Sequence, residues 1–233
     1  KRFVADRQSS CLRYNPLLHG HPHWGASKEK KMKKNLIVML MVLLVSFTVM
    51  ADEYSLFTGN AYTYNDLSKS LNKTQFLIKY DDSENTYYLF TADWMNKIWI
   101  YLSENDLQTI RNAITKYQDW VKLAKEKQVE INKEIPDLTI RTNVTWQFGD
   151  DWYHASGLIL KFTVLSQNPQ RHELVISSNK VDSNKNSFVD VELDPLYFEE
   201  EEAADFLSCL DKSNITKKKE EYNKKKEAQD LFN

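Results

Sequence analysis

The sequence predicts an α+β fold, an antiparallel sheet with its helices packed on one side. Segments of strict apolar–polar alternation, which are typical of half-buried strands, flank a long amphipathic segment. The predicted order is three or four strands, a long helix, a four-stranded meander and a C-terminal helix. After residue 51 the chain has 3 glycines and 3 prolines, and this scarcity indicates regular secondary structure.

The first strands are predicted at residues 74–80, 86–91 and 97–102. The polar segment 81–85 joins the first two as a hairpin loop, because Asp, Asn and Ser favour tight turns. The third strand places isoleucine and leucine on one face and Trp99 and Tyr101 on the other. Residues 53–72 are mixed in character, and a fourth strand there stays open.

The long helix is predicted over residues 103–135. Ser103 caps it, and Asp106 completes a capping box. Apolar residues then recur every three or four positions until Pro136 ends the helix. Two arrangements are open: the first half packs on the sheet while 122–133 projects, or the whole stripe forms a homodimer with another chain. We favour the first, because the distal stripe includes a small and a polar residue.

The second set of strands is predicted at residues 138–148, 158–164, 173–178 and 187–193. Turn-forming residues connect these strands at 149–151, 167–169 and 179–186. A second helix is predicted over 198–210, with glutamates at its positive end. Together, residues 52–212 form one α+β domain. The Lys/Glu-rich tail, 213–233, is either a charged helix or disordered.

The two strand-to-helix junctions of the chain are similar. Alternating apolar residues in 98–102 lead into Ser103, and those in 189–193 lead into Asp194. This similarity suggests two sheet-plus-helix halves, residues 52–135 and 136–212. In element order the chain resembles the tandem repeats of the Whirly, PUR and PC4-like folds. The resemblance implies a module that binds single-stranded nucleic acid.

Residues 32–51 have the features of a signal peptide. Two lysines precede an apolar run, and small or aliphatic residues precede a cleavage point between Ala51 and Asp52. The run is shorter than the ~20 residues that span a membrane, so we expect no stable anchor. This predicts export to the periplasm or the exterior and a soluble mature protein. We interpret residues 1–31 as a leader upstream of the native start at Met32.

Charge and composition limit the classes of function. Residues 1–51 hold 9 of the 31 basic and 2 of the 33 acidic residues, so the rest has a formal net charge of −9. Such a surface repels phosphate polymers, and we expect no nucleic-acid partner. Cys209 is the one cysteine after residue 51. No phosphate loop or nucleophile elbow is present, so the sequence leans against an enzyme and a cofactor. A carboxylate-based hydrolase stays open, since such sites leave no local motif.

Asp182, Asn184 and Asn186 have the one-three-five spacing of a calcium loop. Ser187 stands where that loop requires glycine, and Leu193 where it requires a bidentate glutamate. The pattern is therefore a weak metal candidate. The same three residues also suit a tight turn between strands.

Trp152 and Tyr153 are the strongest candidates for a binding surface. They follow two aspartates at a predicted hairpin tip, where we expect no hydrophobic core for the rings to pack into. Exposed aromatic residues serve as anchors for proteins, peptides or glycans. The alternative is that both rings fold back over the sheet. The sequence thus favours an exported, non-catalytic binding or structural protein of the periplasm, envelope or exterior.

Overall fold

The computed structural model describes residues 53–65, 68–92 and 96–231 of the chain. The predicted leader, the signal peptide and the cleavage point between Ala51 and Asp52 lie outside the described residues. In chain order, the elements of the described residues are β1 Glu53–Asn65, β2 Ser70–Asp81, β3 Thr86–Ala92, β4 Asn96–Leu102, α1 Glu104–Lys127, β5 Asn132–Phe148, β6 Asp151–Asn168, β7 Arg171–Ser178, β8 Val181–Asp182, β9 Asp190–Val191, β10 Leu196–Phe198, α2 Glu200–Cys209 and α3 Lys212–Asp230.

Eight strands form one closed antiparallel barrel in the order β1-β10-β7-β6-β5-β4-β3-β2. The first four strands occupy one continuous half of the ring, and β5, β6, β7 and β10 occupy the other. Strands β8 and β9 form a separate two-stranded sheet. The α+β class with an antiparallel sheet is therefore confirmed, and the fourth N-terminal strand exists as β1. The sheet is larger than predicted, and strands dominate the structure.

The core lies between the inward faces of the strands and the apolar sides of α1 and α2. Alternation along each strand sends every second side chain into this core and leaves the others on the outer face. Burial of each large apolar side chain contributes roughly 1.5–3 kcal/mol. The largest fully buried side chains include Trp146, Tyr117, Phe76, Phe162, Phe198 and Phe206.

Helix α1 begins where the sequence predicts. The backbone N–H of Ser103 donates to the carboxylate of Asp106 at 2.8 Å, and the N–H of Asp106 donates to Ser103 Oγ at 3.2 Å. This reciprocal pair is a capping box, and it satisfies amide groups that the first turn leaves free. The buried stripe of the helix runs from Leu107 to Ala124 and packs into the core of its own chain.

The predicted end of α1 and its projecting segment, 122–133, are wrong. The helix ends at Lys127, because Gln128 adopts a left-handed conformation with φ 54° and ψ 45°. The β5–β6 ladder starts at Asn132, so Ile135, the last apolar residue of the helical spacing, belongs to a strand. Val121 is 2% exposed, which places the distal stripe of the helix inside the core.

The predicted strand at 187–193 is also wrong. Within it the structure has the two-residue strand β9, and β10 takes the position beside β7. Val191 of β9 and Leu193 after it are 7% and 2% exposed, so the apolar alternation reflects burial of this short strand and of the segment that follows it. The N–H of Leu193 donates to Ser178 Oγ at 2.8 Å rather than to a strand carbonyl.

The C-terminal helices follow the prediction more closely. Helix α2 matches the second predicted helix, and α3 corresponds to the helical alternative for the tail. Ile215 of α3 is buried. The ring of Tyr222 stacks on Tyr54 with centroids 3.7 Å apart, and Lys219 Nζ lies 3.5 Å from the centroid of Tyr80. Among the described residues no helix combines the length and the apolar character that crossing a membrane requires.

Candidate binding surface

Strand alternation gathers aromatic side chains on the outer face of β3, β4 and β6. Trp99 and Tyr101 alternate with buried residues of β4. The antiparallel register sets Phe90 of β3 opposite Trp99, and Tyr88 opposite Tyr101. Trp152 of β6 contacts Trp99 from the other side. We call these five residues, Tyr88, Phe90, Trp99, Tyr101 and Trp152, the aromatic face.

The rings of the aromatic face are in mutual contact. Ring centroids are 4.7 Å apart for Phe90 and Trp99, 4.9 Å for Tyr88 and Tyr101, and 4.9 Å for Trp99 and Trp152. Separations of this size are favourable for aromatic pairs. Trp152 is 46% exposed and Trp99 is half-buried, so the surface extends from the sheet into solvent. An exposed tryptophan next to partly buried rings is a candidate contact point for a partner.

A pocket of about 270 Å³ opens beside the aromatic face. This volume is just below the roughly 300 Å³ at which pockets for small-molecule ligands begin, so it suits one side chain or head group. The pocket combines aromatic rings with carboxylate and hydroxyl oxygens. It is lined by Glu53, Asp81, Tyr88, Trp99, Tyr101, Thr145 and Trp152.

Asp81 and Tyr88 line the pocket and are 5% and 7% exposed. Asp81 Oδ1 accepts hydrogen bonds from Ser83 N at 2.9 Å, Ser83 Oγ at 2.6 Å and Glu84 N at 3.1 Å. The hydroxyl of Tyr88 donates to Glu84 Oε2 at 2.9 Å. Burial and the neighbouring Glu84 raise the pKa of Tyr88 well above its ordinary value. The phenol is therefore protonated, and the hairpin loop holds the carboxylate of Asp81 in place.

Lys79 supplies a positive group on the same outer face. Its Nζ lies 4.4 Å from the ring centroid of Phe90 and 5.7 Å from that of Trp99. Glu53 Oε1 pairs with this ammonium group at 3.3 Å. Attraction between a cation and a ring face strengthens when both are shielded from water. The aromatic face thus already holds one ammonium between rings and a carboxylate.

Polar atoms connect the pocket to solvent. Thr145 Oγ1 lies 3.1 Å from Tyr101 Oη and 2.8 Å from Nδ1 of His154. Thr145 is buried and His154 is exposed. The hydroxyls and the imidazole offer hydrogen-bond donors and acceptors next to the rings.

The structure separates the two aromatic residues that the sequence analysis paired. Gly149, with φ 61°, forms the turn, and both Trp152 and Tyr153 lie in β6 rather than at the tip. Tyr153 faces inward and stacks on the fully buried Trp146, with centroids 5.7 Å apart at 25°. Trp152 therefore belongs to the outer face and Tyr153 to the core side of the strand.

The sequence analysis missed most of the aromatic face. The outward position of Trp99 and Tyr101 was readable from the alternation in their strand. The contact of Trp99 with Trp152 could not be predicted from the sequence, because it depends on the register of β4 with β5 and of β5 with β6. That register joins residues far apart in the chain.

The calcium-like residues organise the turn between β8 and β9. Asp182 lies in the β8–β9 ladder, and the N–H of Asn184 donates to the carbonyl of His154 at 2.9 Å. Asn186 Oδ1 accepts from the N–H of Phe188 at 3.0 Å. In the part of the chain that the structure describes, no group of three or more His, Cys, Asp or Glu is arranged to hold a metal ion.

A second concave site of about 640 Å³, the Glu173 groove, lies beside β7 and β10. Glu173 is 1% exposed, accepts from Gln167 Nε2 at 2.8 Å and lies 3.6 Å from the guanidinium of Arg171. Burial raises the pKa of Glu173, and the charge of Glu199 adds to this effect while Arg171 opposes it. Its lining residues are Tyr64, Lys69, Ser70, Leu71, Leu165, Gln167, Arg171, Glu173 and Tyr197.

His172 and Cys209 have structural surroundings. His172 is 1% exposed; its Nδ1 lies 2.6 Å from Ser166 Oγ and its Nε2 lies 3.1 Å from the carbonyl oxygen of Pro169. These contacts secure the β6–β7 turn. Burial raises the pKa of Cys209, which favours the thiol over the reactive thiolate.

Comparisons with protein-family models, with curated proteins and with solved structures find no match for this chain. Its function is therefore argued from its own residues.

Proposed function

We propose that this chain is an exported, non-catalytic binding protein that holds a protein, peptide or glycan partner on the aromatic face. The observation that carries the proposal is the contact of Trp99 with Trp152 at 4.9 Å, with Trp152 46% exposed. Large rings that a complete core does not require serve as anchors, because they bury much area with few rotatable bonds.

The setting of these rings supports binding. They project from strands of a closed sheet, so little order has to be gained when a partner arrives. Asp81 is fixed by the hairpin loop, and Thr145 and Tyr101 add directed hydrogen-bonding groups. Rigid rings next to a few convergent polar groups are typical of recognition sites.

Export is part of the proposal and depends on the signal peptide. We expect the mature protein to begin at Asp52 or within a few residues of it. N-terminal sequencing of the exported product tests this directly. Recovery of a membrane-bound form that still carries the apolar run would contradict it.

A carboxylate-based hydrolase is the second candidate, and the Glu173 groove favours it. A buried carboxyl with a raised pKa is suited to act as a general acid. The guanidinium of Arg171 pairs with both Glu173 and Glu199, so a second carboxylate stands close by. Hydrolases that cleave glycosidic bonds use two such groups.

A Whirly- or PUR-like nucleic-acid module is the third candidate. Each half of the ring consists of four adjacent strands and is followed in the chain by a helix, which is the feature that favours this candidate. The proposed division between 52–135 and 136–212 falls inside β5, which begins at Asn132. Stacking rings also suit single-stranded nucleic acid. Glu53 and Asp81 beside the rings oppose a phosphate backbone, and we rank this candidate last.

The proposal is tested by calorimetric titration of the mature protein with three probes: a hexalysine peptide, chitotetraose and a 15-mer of deoxythymidine. We expect the peptide or the glycan to bind and Trp152→Ala to weaken that binding about tenfold. Tyr64→Ala is the matched control, since Tyr64 is 49% exposed but lies in the Glu173 groove. Binding that Trp152→Ala leaves unchanged, or tight binding of the oligonucleotide, would contradict the proposal.

A further inference from the structure

We infer that the pocket beside the aromatic face binds a cation, the ammonium or guanidinium group of a lysine or arginine in a basic segment of a partner protein. This inference rests on the proposed function and adds the chemical class of the group that enters the pocket. Three independent features support it: the charges of the lining, the arrangement of the rings and an ammonium group that the chain itself places on this face.

The charged groups that line the pocket are negative. Glu53 and Asp81 contribute carboxylates, and Tyr88 keeps its proton. Lys79 is not part of the lining, but its Nζ pairs with Glu53 Oε1 at 3.3 Å and lies 5.7 Å from the ring centroid of Trp99. The charge of Glu53 is therefore already partly compensated, and Asp81 is the carboxylate on which the inference mainly depends. Asp81 is 5% exposed, and the attraction between opposite charges is stronger where water is partly excluded.

Four of the seven lining residues are aromatic, and two of these are tryptophans. The face of an aromatic ring is negative, and indole attracts cations more strongly than phenol or benzene does. A site lined by both rings and carboxylates can accommodate the apolar stem as well as the charge of a basic side chain. The volume of about 270 Å³ accommodates such a head group.

Lys79 is an example, within this chain, of an ammonium group held between an aromatic ring and a carboxylate. Its ammonium lies 4.4 Å from the centroid of Phe90 and 3.3 Å from Glu53 Oε1. The adjacent pocket repeats the same elements, with Trp99 and Trp152 as rings and Asp81 as a second carboxylate. A basic partner would extend the alternation of cations and rings across the outer face.

The overall charge of the protein acts in the same direction. The formal net charge of −9 after residue 51 draws basic partners to the whole surface. Such long-range attraction raises the rate of encounter but does not select a site. Variants that change the pocket must therefore be compared with variants that change the same charge elsewhere.

The test is calorimetric titration of the mature protein with hexalysine, hexaglutamate and chitotetraose at two salt concentrations. We expect hexalysine to bind, Trp152→Ala to weaken it about 5- to 30-fold, and Glu53→Gln to weaken it about threefold. Trp152→Phe, which keeps a ring, should restore most of the affinity. The matched charge control is Glu201→Gln on the exposed side of α2, and it should change affinity little.

The outcomes separate this inference from the proposed function. If chitotetraose binds in a Trp152-dependent way and hexalysine does not, the inference is overturned while the binding function stands. Equal weakening of hexalysine by Glu53→Gln and Glu201→Gln would show non-specific attraction and also overturn the inference. If no probe depends on Trp152, both fail. Thermal melts of each variant confirm that it is folded.

Discussion

Trp152 and Tyr153 are adjacent in the sequence but belong to two regions with different roles. Tyr153 stacks on the fully buried Trp146 on the inner face of the sheet. Trp152 contacts Trp99 on the outer face and remains 46% exposed. The comparison shows that one residue step along a strand decides whether an aromatic ring contributes to stability or is free for recognition.

The outer face itself also contains two different sites. The aromatic face exposes the ring of Trp152 and places carboxylates beside its rings, whereas the Glu173 groove buries a carboxyl between Gln167 and Arg171. The first arrangement gives contact area and attraction for cations. The second raises the pKa of an acid, which is a feature of catalytic groups.

The largest effect is expected where a charge enters the inner side of the molecule. Val121 of α1 is 2% exposed, and Val121→Asp should lower the free energy of unfolding by several kcal/mol, as should Ile110→Asp. Leu123, two residues further along α1, is 54% exposed. Leu123→Asp should therefore change the free energy of unfolding by less than ~1 kcal/mol. Urea denaturation of the three variants measures this. Similar, small losses for Val121→Asp and Leu123→Asp would mean that the distal helix does not pack on the core.

The second effect tests the two neighbours in β6. Tyr153→Ser removes a ring that packs against Trp146 and should cost about 2–4 kcal/mol. Trp152→Ser removes a half-exposed ring and should cost about 1 kcal/mol or less. Thermal denaturation of both variants decides the matter. A larger loss for Trp152→Ser would make it part of the core and remove the candidate binding surface.

The smallest effect concerns Glu173 and pH. Its pKa in the folded protein is raised above the ordinary value of 4.5, so the charged form is the unfavourable one in the fold. Stability from this group is therefore fully present below 4.5 and lost as the pH rises through the raised pKa. The measured quantity is the melting temperature of the wild type minus that of Glu173→Gln. This difference should increase by a few degrees when the pH is lowered from 7 to 4. Glu201→Gln controls for loss of one surface charge, and parallel pH curves for wild type and Glu173→Gln would contradict the expectation.

Local features of the fold were predictable from the sequence. The capping box of Ser103 and Asp106, the hairpin loop at 81–85 and the turn at Gly149 each depend on residues within a few positions of one another. The end of α1 was not predictable, because Gln128 continues the helical spacing and still adopts a left-handed cap. Tertiary pairing of β5 with β6 overrides the local pattern there.

The candidate sites show the same limit. Trp152 was identified from its own neighbours, whereas the buried state of Glu173 was invisible, since it depends on Tyr64, Gln167 and Tyr197 from three other strands. Closure of the sheet also left no local signal. The apolar–polar alternation of a strand predicts which face of the sheet a residue occupies. It does not predict which strand pairs with it.

Closure of the ring has a consequence for self-association. A ring of strands reduces the free strand edge that another chain could use as a template for adding a strand. The seam between β1 and β10 is joined through the pair Tyr62 and Tyr197, whereas the β1–β2 ladder runs along all of β1. Opening at this short seam releases two unpaired edges at once. We therefore expect partial unfolding at this seam, rather than elsewhere in the ring, to make the chain prone to aggregate.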